Sequence, residues 1–481
     1  MRTPKVSVIM PVYGGAPHLA ESIGSVLAQT YDDFELVIVN DASPDDSASV
    51  VKQFHDPRIK YLEHPSNRGS SAARNTGIRS STGDILAFLD QDDILVPHKL
   101  EAHVAFLERN PSIGVSYNSR FELLHSYPSQ GCSPADMVQD LWRPPRRVTI
   151  ADMVLGFPFG PTDTVIRREW AFRVDLWPDY GQFAGAEIDF AFNLWLAGCQ
   201  FASVDRALSY RRPHSGKAGN IARWCADEIR TQQRVFDDPR CPQELRALRH
   251  TAHVNLYLGH AYQAFAQEET SLGQSILRQA ISLQPGILSG MPCRLVQRLV
   301  EGSIANDGLD HEQLLRSVFA QLPAEASVRS EQLQWAVQRG YVRKGVRALI
   351  WGRDEDGRRY LERAKELHAL LDEPFLRWLA QKLLDYETER GPAATKAVLQ
   401  ALAPYLADLG GKEAARFLAG CYAANLAFER YRAGDYAAVP ANVFRAVVSD
   451  PAYLGNRGVL SILLRSVTGL RRPAWPQTSH G

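Results

Sequence analysis

The sequence lacks most of the features that announce a special environment. Its six cysteines, in 481 residues, include no Cys-x-x-Cys pair, which excludes a zinc framework and a disulfide-dense secreted fold. There is no apolar run of the roughly 18 residues that a membrane-spanning helix requires. Net charge is also missing: 54 Lys and Arg balance 54 Asp and Glu. A neutral chain has no bulk attraction for nucleic acid or anionic lipid, so no nucleic-acid partner is expected. Glycine and proline, at 34 and 28, are ordinary, which excludes collagen-like and low-complexity chains. The N-terminal Met-Arg-Thr-Pro-Lys runs straight into a strand-like segment without the apolar core of a secretory leader. A reduced, cytoplasmic protein is expected. Three phosphate, dinucleotide and nucleophile signatures are absent too: Gly-x-x-x-x-Gly-Lys-Ser/Thr, Gly-x-Gly-x-x-Gly and Gly-x-Ser-x-Gly.

What is present begins with alternation. Apolar runs at Val6–Pro11, Phe34–Asn40, Ile59–Glu63 and Asp84–Leu89 read as strands. Helical spacings at His18–Thr30, Ala48–His55, Ser70–Ser80 and Pro97–Asn110 separate them. Strand–helix alternation at this spacing predicts crossover units and an α/β, mainly parallel sheet, with ligands bound off the carboxyl ends of the strands. Residues 111–215 are irregular, apart from a helical stretch at Asp189–Gly198.

Beyond about residue 225 the composition turns helical, rich in Ala, Leu, Gln, Arg and Glu. The expected division is an α/β domain over 1–225 and an all-α domain over 226–481. Within the latter, Tyr262–Pro285 aligns with Phe428–Pro451 at an offset of 166, matching Phe265 to Tyr431, Ala280 to Ala446 and Pro285 to Pro451. The repeat loosely resembles tetratricopeptide hairpins, at about 253–300 and 423–468, and two ordinary helical hairpins fit as well. It implies packing and contact with a protein partner or a second copy, not chemistry.

Four polar clusters follow the strands. Pro11-Val12-Tyr13-Gly14-Gly15 is a turn whose glycines let backbone approach a ligand. Asn40-Asp41-Ala42-Ser43-Pro44-Asp45-Asp46-Ser47 sets Asp41 directly on a strand end, while Asp45 or Ser47 caps the next helix. Asn67-Arg68-Gly69-Ser70-Ser71-Ala72-Ala73-Arg74-Asn75-Thr76-Gly77 opens a helix with small residues and carries an arginine one turn in, which suits a phosphate or nucleotide edge. Asp90-Gln91-Asp92-Asp93 follows a buried strand. Three carboxylates so close repel one another, and a hard divalent cation would remove that cost.

In this order and spacing the four clusters resemble family 2 glycosyltransferases of the GT-A fold, over roughly residues 4–215; Gly14 stands where the family usually has Asn. The resemblance implies the following roles. Pro11, Tyr13 and Asp41 contact the nucleotide, Arg74 lies near base or diphosphate, and Asp90 faces the ribose. Asp92 binds the metal, Mn²⁺ or Mg²⁺. The family's Glu-Asp pair starts a helix ending in Gly. Counting back from Gly198 puts the catalytic position at Glu187, with Asp189 two residues on as the alternative base. Tyr210-Arg211-Arg212-Pro213-His214 matches a family Tyr-x-Arg-x-His element, which implies His214 near the diphosphate or metal, with Arg211 and Arg212 able to neutralise the leaving group.

The implied activity is inverting transfer of a sugar from a nucleotide-sugar, UDP-linked in the first instance, to a hydroxyl of a glycan, lipid-linked or protein acceptor, in the synthesis of bacterial surface polysaccharide or glycoconjugate. The implied place is the cytoplasm, with peripheral attachment to the inner face of the membrane left open. The alternative is a non-catalytic module that binds nucleotide-sugar or glycan and carries a helical scaffold.

Overall fold

Buried β-branched runs make the centre of one sheet. In the computed structural model, which describes residues 5–127, 132–156, 158–179, 181, 185–213, 221–326 and 330–468, strands β1 (Val6–Val12), β2 (Phe34–Asn40), β3 (Ile59–Glu63) and β4 (Ile85–Phe88) pair in parallel in the order β3-β2-β1-β4. The crossovers carry α1 (Ala16–Leu27), α2 (Ser47–Val51) and α3 (Ser70–Ser80).

The chain continues through β5 (Ile94–Leu95), α4 (Lys99–Arg109), β6 (Ile113–Leu123), β7 (Val138–Trp142), α5 (Ile150–Leu155), β8 (Thr164–Arg167), α6 (Arg168–Arg173), α7 (Ala186–Leu196) and β9 (Gln200–Arg211). These strands extend the sheet on the β4 side, with β8 antiparallel to both β4 and β6, β7 antiparallel to β6, and β9 parallel to β6. The parallel expectation therefore holds for the first four strands, and the sheet as a whole is mixed.

Strand alternation explains why both faces are covered. Val8, Met10, Leu36 and Ile38 point to one side and meet Ile23 and Val26 of α1 and Val104 of α4. Ile9, Val37, Val39 and Phe88 point to the other and meet Ala73 of α3 and Phe190 of α7. The small residues that open α3 let it sit close: a Cβ on Gly77 would stand 2.6 Å from the Ile9 side chain.

The remainder of the described chain is helical, beginning with α8 (Ile221–Asp237), α9 (Gln243–Arg246) and α10 (Arg249–Ala266). The compact units part at Gly340/Tyr341, not at 225/226 where the composition changes. Side-chain bonds explain the difference. Gln232 Nε2 donates to Val154 O at 2.8 Å, Asn255 Nδ2 to Leu155 O at 2.8 Å, and the His125 backbone N–H to Asp307 Oδ1 at 2.8 Å. The first helices after the sheet are thus tied to it, and helical composition alone does not mark where packing ends.

The two hairpins of the repeat fall in different units. In each, the matched proline opens a 3₁₀ turn, Pro285–Leu288 and Pro451–Gly455, and the matched alanines Ala280 and Ala446 are fully buried. The second unit has its own core, in which Leu379 and Leu383 of helix Glu373–Arg390 meet Leu402 and Leu418 of helix Pro392–Arg432. Among the described residues no helix is long and apolar enough to cross a membrane.

Candidate functional site

The first and second clusters hold one another. The backbone N–H groups of Gly14, Gly15 and Ala16 donate to Ser43 Oγ (3.3 Å), Ser47 Oγ (3.1 Å) and Asp45 Oδ2 (3.0 Å). Asp45 and Ser47 therefore satisfy the open N–H groups that begin α1. Asp46 rather than Asp45 or Ser47 holds the N-cap position of α2 and makes no side-chain cap bond, while Asp45 Oδ1 accepts the N–H of Ser47, the first residue of that helix, at 3.1 Å. Burial is the largest single influence on the Asp45 carboxyl and acts upward, but bonds from the Ser47 hydroxyl and from the Ala16 and Ser47 N–H groups outweigh it and hold the carboxyl below its usual range.

Asp41 is almost fully buried and spends its oxygens on the chain itself. Oδ1 meets His64 Nδ1 at 2.6 Å and the Arg68 N–H at 2.9 Å, and Oδ2 accepts from the Gly69 N–H at 2.7 Å. His64 Nε2 lies 2.9 Å from Thr76 Oγ1 on α3. This carboxylate fixes the turn that opens α3, at the cavity wall. Sequence reasoning missed His64, whose only signal is its place one residue past β3.

The third cluster supplies the centre. Arg74 is 3 % exposed. Its Nη2 donates to Asp90 Oδ1 at 2.8 Å, its Nη1 lies 3.5 Å from Glu187 Oε1, and its guanidinium stands 4.8 Å over the Trp177 ring. The neighbouring Asn75 closes a pair of bonds with the Trp177 backbone, at 2.8 and 3.0 Å. Trp177 in turn stacks on Phe190 of α7 at 4.4 Å. The Arg-Asn pair of α3 thereby sets both the strand-end carboxylate and the start of α7.

The fourth cluster is pinned at each residue. Gln91 exchanges two hydrogen bonds with the Tyr13 backbone, at 2.6 and 2.9 Å. A Cβ on Gly15 would meet Gln91 Oε1 at 2.5 Å, so the turn needs glycine there. Asp93 points inward, accepting from the Thr162 hydroxyl at 2.7 Å and the Arg212 N–H at 3.2 Å. Burial, then the charges of Asp92 and Asp90, push its carboxyl well above the usual range.

Behind it lies a buried polar layer: Lys99 bonds Asn118, Asn118 meets His103 at 3.0 Å and Ser209 at 3.0 Å, and Ser209 donates to Asp163 at 2.7 Å. Burial brings the Lys99 ammonium down to about 7 against the pull of Asp163 and Asp93.

One cavity of about 810 Å³ opens at the carboxyl ends of β1, β2 and β4, as expected for such sheets. Pro11, Tyr13, Asp41, Arg74, Asp90, Asp92 and Glu187 line it together. Two expected residues do not. Asp189 is buried on α7, turned to Arg234 of α8 at 3.4 Å. Arg212 is buried below the carboxylate loop, donating to the Asp92 carbonyl at 3.1 Å and to Glu21 at 2.5 Å, and it covers the Tyr127 ring. Its neighbour Arg211, the last residue of β9, lines the cavity, and the alternation of the strand carried one residue further turns Arg212 the other way. His214 lies outside the described residues. The cavity has a further wall that sequence reasoning did not foresee, made by Trp224, Glu228 and Gln232 of α8 and Leu256 of α10.

For a divalent cation, the donor set is hard oxygen from Asp90 and Asp92. No three His, Cys, Asp or Glu side chains gather into a complete cage among the described residues. Two carboxylates fit Mg²⁺ or Mn²⁺, which take one or two protein carboxylates and complete their shell with phosphate oxygens and water.

Comparison with known proteins covers the segment that carries the four clusters, and not Glu187, Arg211 or the α8 wall. Residues 7–156 match the family described as Glycosyl transferase family 2. The Escherichia coli UDP-Glc:alpha-D-GlcNAc-diphosphoundecaprenol beta-1,3-glucosyltransferase WfgD is 38% identical over 121 residues, 25% of this chain and 47% of that protein. The putative glycosyltransferase EpsE of Bacillus subtilis is 42% identical over 110 residues, 22% and 40% of the respective chains. The matched stretch thus spans less than half the length of these curated relatives. Among solved structures, Staphylococcus aureus TarS superposes with a TM-score of 0.40 at 16% identity, over 74% of this chain and 90% of that one. The mannosyltransferase PcManGT of Pyrobaculum calidifontis, in complex with GDP-Man and Mn²⁺, gives 0.41 at 19% identity, over 64% and 88%. Over residues 7–156 the chain matches glycosyl transferase family 2, the family to which its four strand-end clusters point.

Proposed function

We propose that the protein is a metal-dependent, inverting glycosyltransferase that moves a sugar from a nucleoside-diphosphate sugar to an acceptor hydroxyl. One observation carries the reading: Arg74, Asp90, Asp92 and Glu187, drawn from two of the clusters and from the start of α7, line a single cavity at the carboxyl ends of the parallel strands. The family match over residues 7–156 supports the reaction class. WfgD, whose name records a UDP-glucose donor and a lipid-diphosphate acceptor, supports a UDP-sugar and a role in surface polysaccharide synthesis.

In this reading Tyr13 and the turn held by Asp41 receive the nucleotide, and Arg74 and Arg211 face the diphosphate. Asp92, with Asp90, would hold Mn²⁺ or Mg²⁺, and His214 would join them. Such a cation neutralises charge on the departing diphosphate. Glu187 takes the proton of the acceptor hydroxyl. The hydroxyl oxygen bonds to the anomeric carbon from the face opposite the diphosphate, and the bond from that carbon to the diphosphate oxygen breaks, which inverts the centre.

Calorimetry with UDP and GDP, each with and without Mn²⁺, tests the reading. Binding that requires the cation is expected in the wild type and is expected to vanish in Asp92→Ala while its melting transition stays in place. Cation-independent binding, or full affinity in the variant, would remove Asp92 from the proposed role.

A further inference from the structure

The cavity wall built by α8 belongs to none of the four clusters, and three of its residues share one stripe. Trp224, Glu228 and Gln232 are spaced by four, so they stack on one face of the helix, and all three line the cavity. The helix is seated beside the start of α7: a Cβ on Gly185, two residues before Glu187, would lie 3.0 Å from Thr231 Oγ1.

Each residue of the stripe is set for a particular contact. Gln232 is 2 % exposed and donates its Nε2 to the Val154 carbonyl at 2.8 Å, which fixes the amide plane; its Oε1 has no hydrogen-bond partner. A buried acceptor without a partner costs stability, and Gln232 is a lining residue of the cavity, so a donor bound there would relieve that cost. Glu228 is oriented by His260 Nε2 of α10, 3.1 Å from its Oε2. Trp224 is half-buried, and Leu256 of α10 lines the same wall. The wall thus offers an indole, an aliphatic side chain, a carboxylate and an open amide oxygen.

On these grounds, and resting on the reading of Glu187 as the base, we infer that the α8 stripe is the acceptor subsite and that the acceptor is a pyranose. The acceptor must lie against the group that takes its proton; the loop at Phe159–Pro161 and α8 both adjoin Glu187, and of the two only α8 presents a carboxylate and an amide to hydroxyls. A pyranose has apolar C–H faces and a rim of hydroxyl donors. The C–H face packs on the Trp224 ring, while the hydroxyls donate to Gln232 Oε1 and Glu228. A linear polyol has no rigid face to stack, and a ligand without hydroxyls would leave Gln232 Oε1 unpaired, the kind of mismatch that rejects an analogue strongly.

The test is saturation-transfer NMR on the full chain with diamagnetic Mg²⁺ and UDP, using methyl glucoside, methyl galactoside, methyl N-acetylglucosaminide and glycerol phosphate as probes. At least one methyl pyranoside is expected to bind, with saturation concentrated on the C–H protons of one ring face, and glycerol phosphate is expected not to. Trp224→Ala is expected to weaken the pyranoside at least tenfold, Trp224→Phe to retain it, and UDP affinity to be the same in both. A farnesyl-diphosphate ester of the bound sugar separates the sources: tighter binding identifies a lipid-linked acceptor, equal binding a free glycan. The inference is overturned if UDP binds but no pyranoside does, if glycerol phosphate binds in their place, or if Trp224→Ala binds as the wild type does. Failure of UDP to bind the wild type would instead overturn the proposed function.

Discussion

Glu187 Oε1 lies 3.5 Å from Arg74 Nη1, and the same guanidinium bonds Asp90 Oδ1 at 2.8 Å. One buried arginine thus orients both the strand-end carboxylate and the candidate base. Asp189, two residues along the same helix, points about 200° away on a helical wheel and meets Arg234 on α8. The spacing left two candidates for the base, and the cavity admits one of them.

The first prediction separates the two carboxylates. Glu187→Gln should lower kcat by about 10²–10⁴-fold, the usual worth of a general base, with donor affinity unchanged. Asp189→Asn should keep most of the turnover and lose stability instead, because a buried ion pair is broken. Transfer rate, UDP affinity and melting temperature for both variants decide it. A dead Asp189→Asn beside a healthy Glu187→Gln would reverse the assignment.

A second pair, Arg211 and Arg212, is expected to divide in the same way. Arg212 is occupied beneath the carboxylate loop by Asp92 O, Glu21 and the Tyr127 ring. Arg212→Ala should therefore lower the melting temperature and, by loosening the loop, the affinity for nucleotide. Arg211→Ala should weaken binding of UDP while the melting temperature holds. Equal melting temperatures for the two variants would count against this division.

His64 offers a third test. It gives Asp41 a 2.6 Å partner and reaches Thr76 at 2.9 Å. Truncating it leaves buried polar atoms unpaired, at a cost of about 1–3 kcal/mol. His64→Ala should lose that much in denaturant unfolding and should raise the Kd for UDP, because the turn that opens α3 is released. Unchanged stability would mean that water or another side chain replaces the imidazole.

How much of this was legible beforehand follows from where the physics is local. A buried strand ending in a carboxylate is a short-range pattern, so β1–β4 and the residues behind them were readable, as were Arg74 and Glu187. Their pairing was not, because it depends on α3 and α7 being brought together across more than a hundred residues. Of the two adjacent arginines only Arg211 faces the cavity, and the sequence does not separate them, because backbone alternation and not residue type decides which one does. The α8 wall was hidden for a different reason. Trp224, Glu228 and Gln232 sit on a helix whose composition suggests a separate domain, and only its bonds to α5 and its seat beside Gly185 bring them to the site. The compact unit that contains the sheet likewise runs past 225/226, to Gly340.

The last prediction concerns pH. Lys99 is fully buried beneath the carboxylate loop, and burial lowers its ammonium to about 7 from the 10.5 of an exposed lysine. Between those two values the unfolded chain holds a proton that the folded chain has released, so this group makes stability rise with pH across the window. Below about 7 both states are protonated and the full cost of burying the charge remains. The hydrogen bonds around it have partners other than the ammonium. Asn118 Oδ1 keeps His103 at 3.0 Å, and Asp163 keeps Arg120 at 2.8 Å and Ser209 at 2.7 Å. Lys99→Met removes the charge at similar volume and leaves no partner unpaired, the circumstance in which replacing a buried ion is neutral or stabilising. The variant should therefore be at least as stable as the wild type at pH 7 and should lose part of the rise in stability between pH 7 and 10. Urea unfolding at several pH values measures both. A variant that is less stable at pH 7, with the wild-type slope intact, would show that Lys99 is charged in the fold and holds Asp163 and Asp93 together.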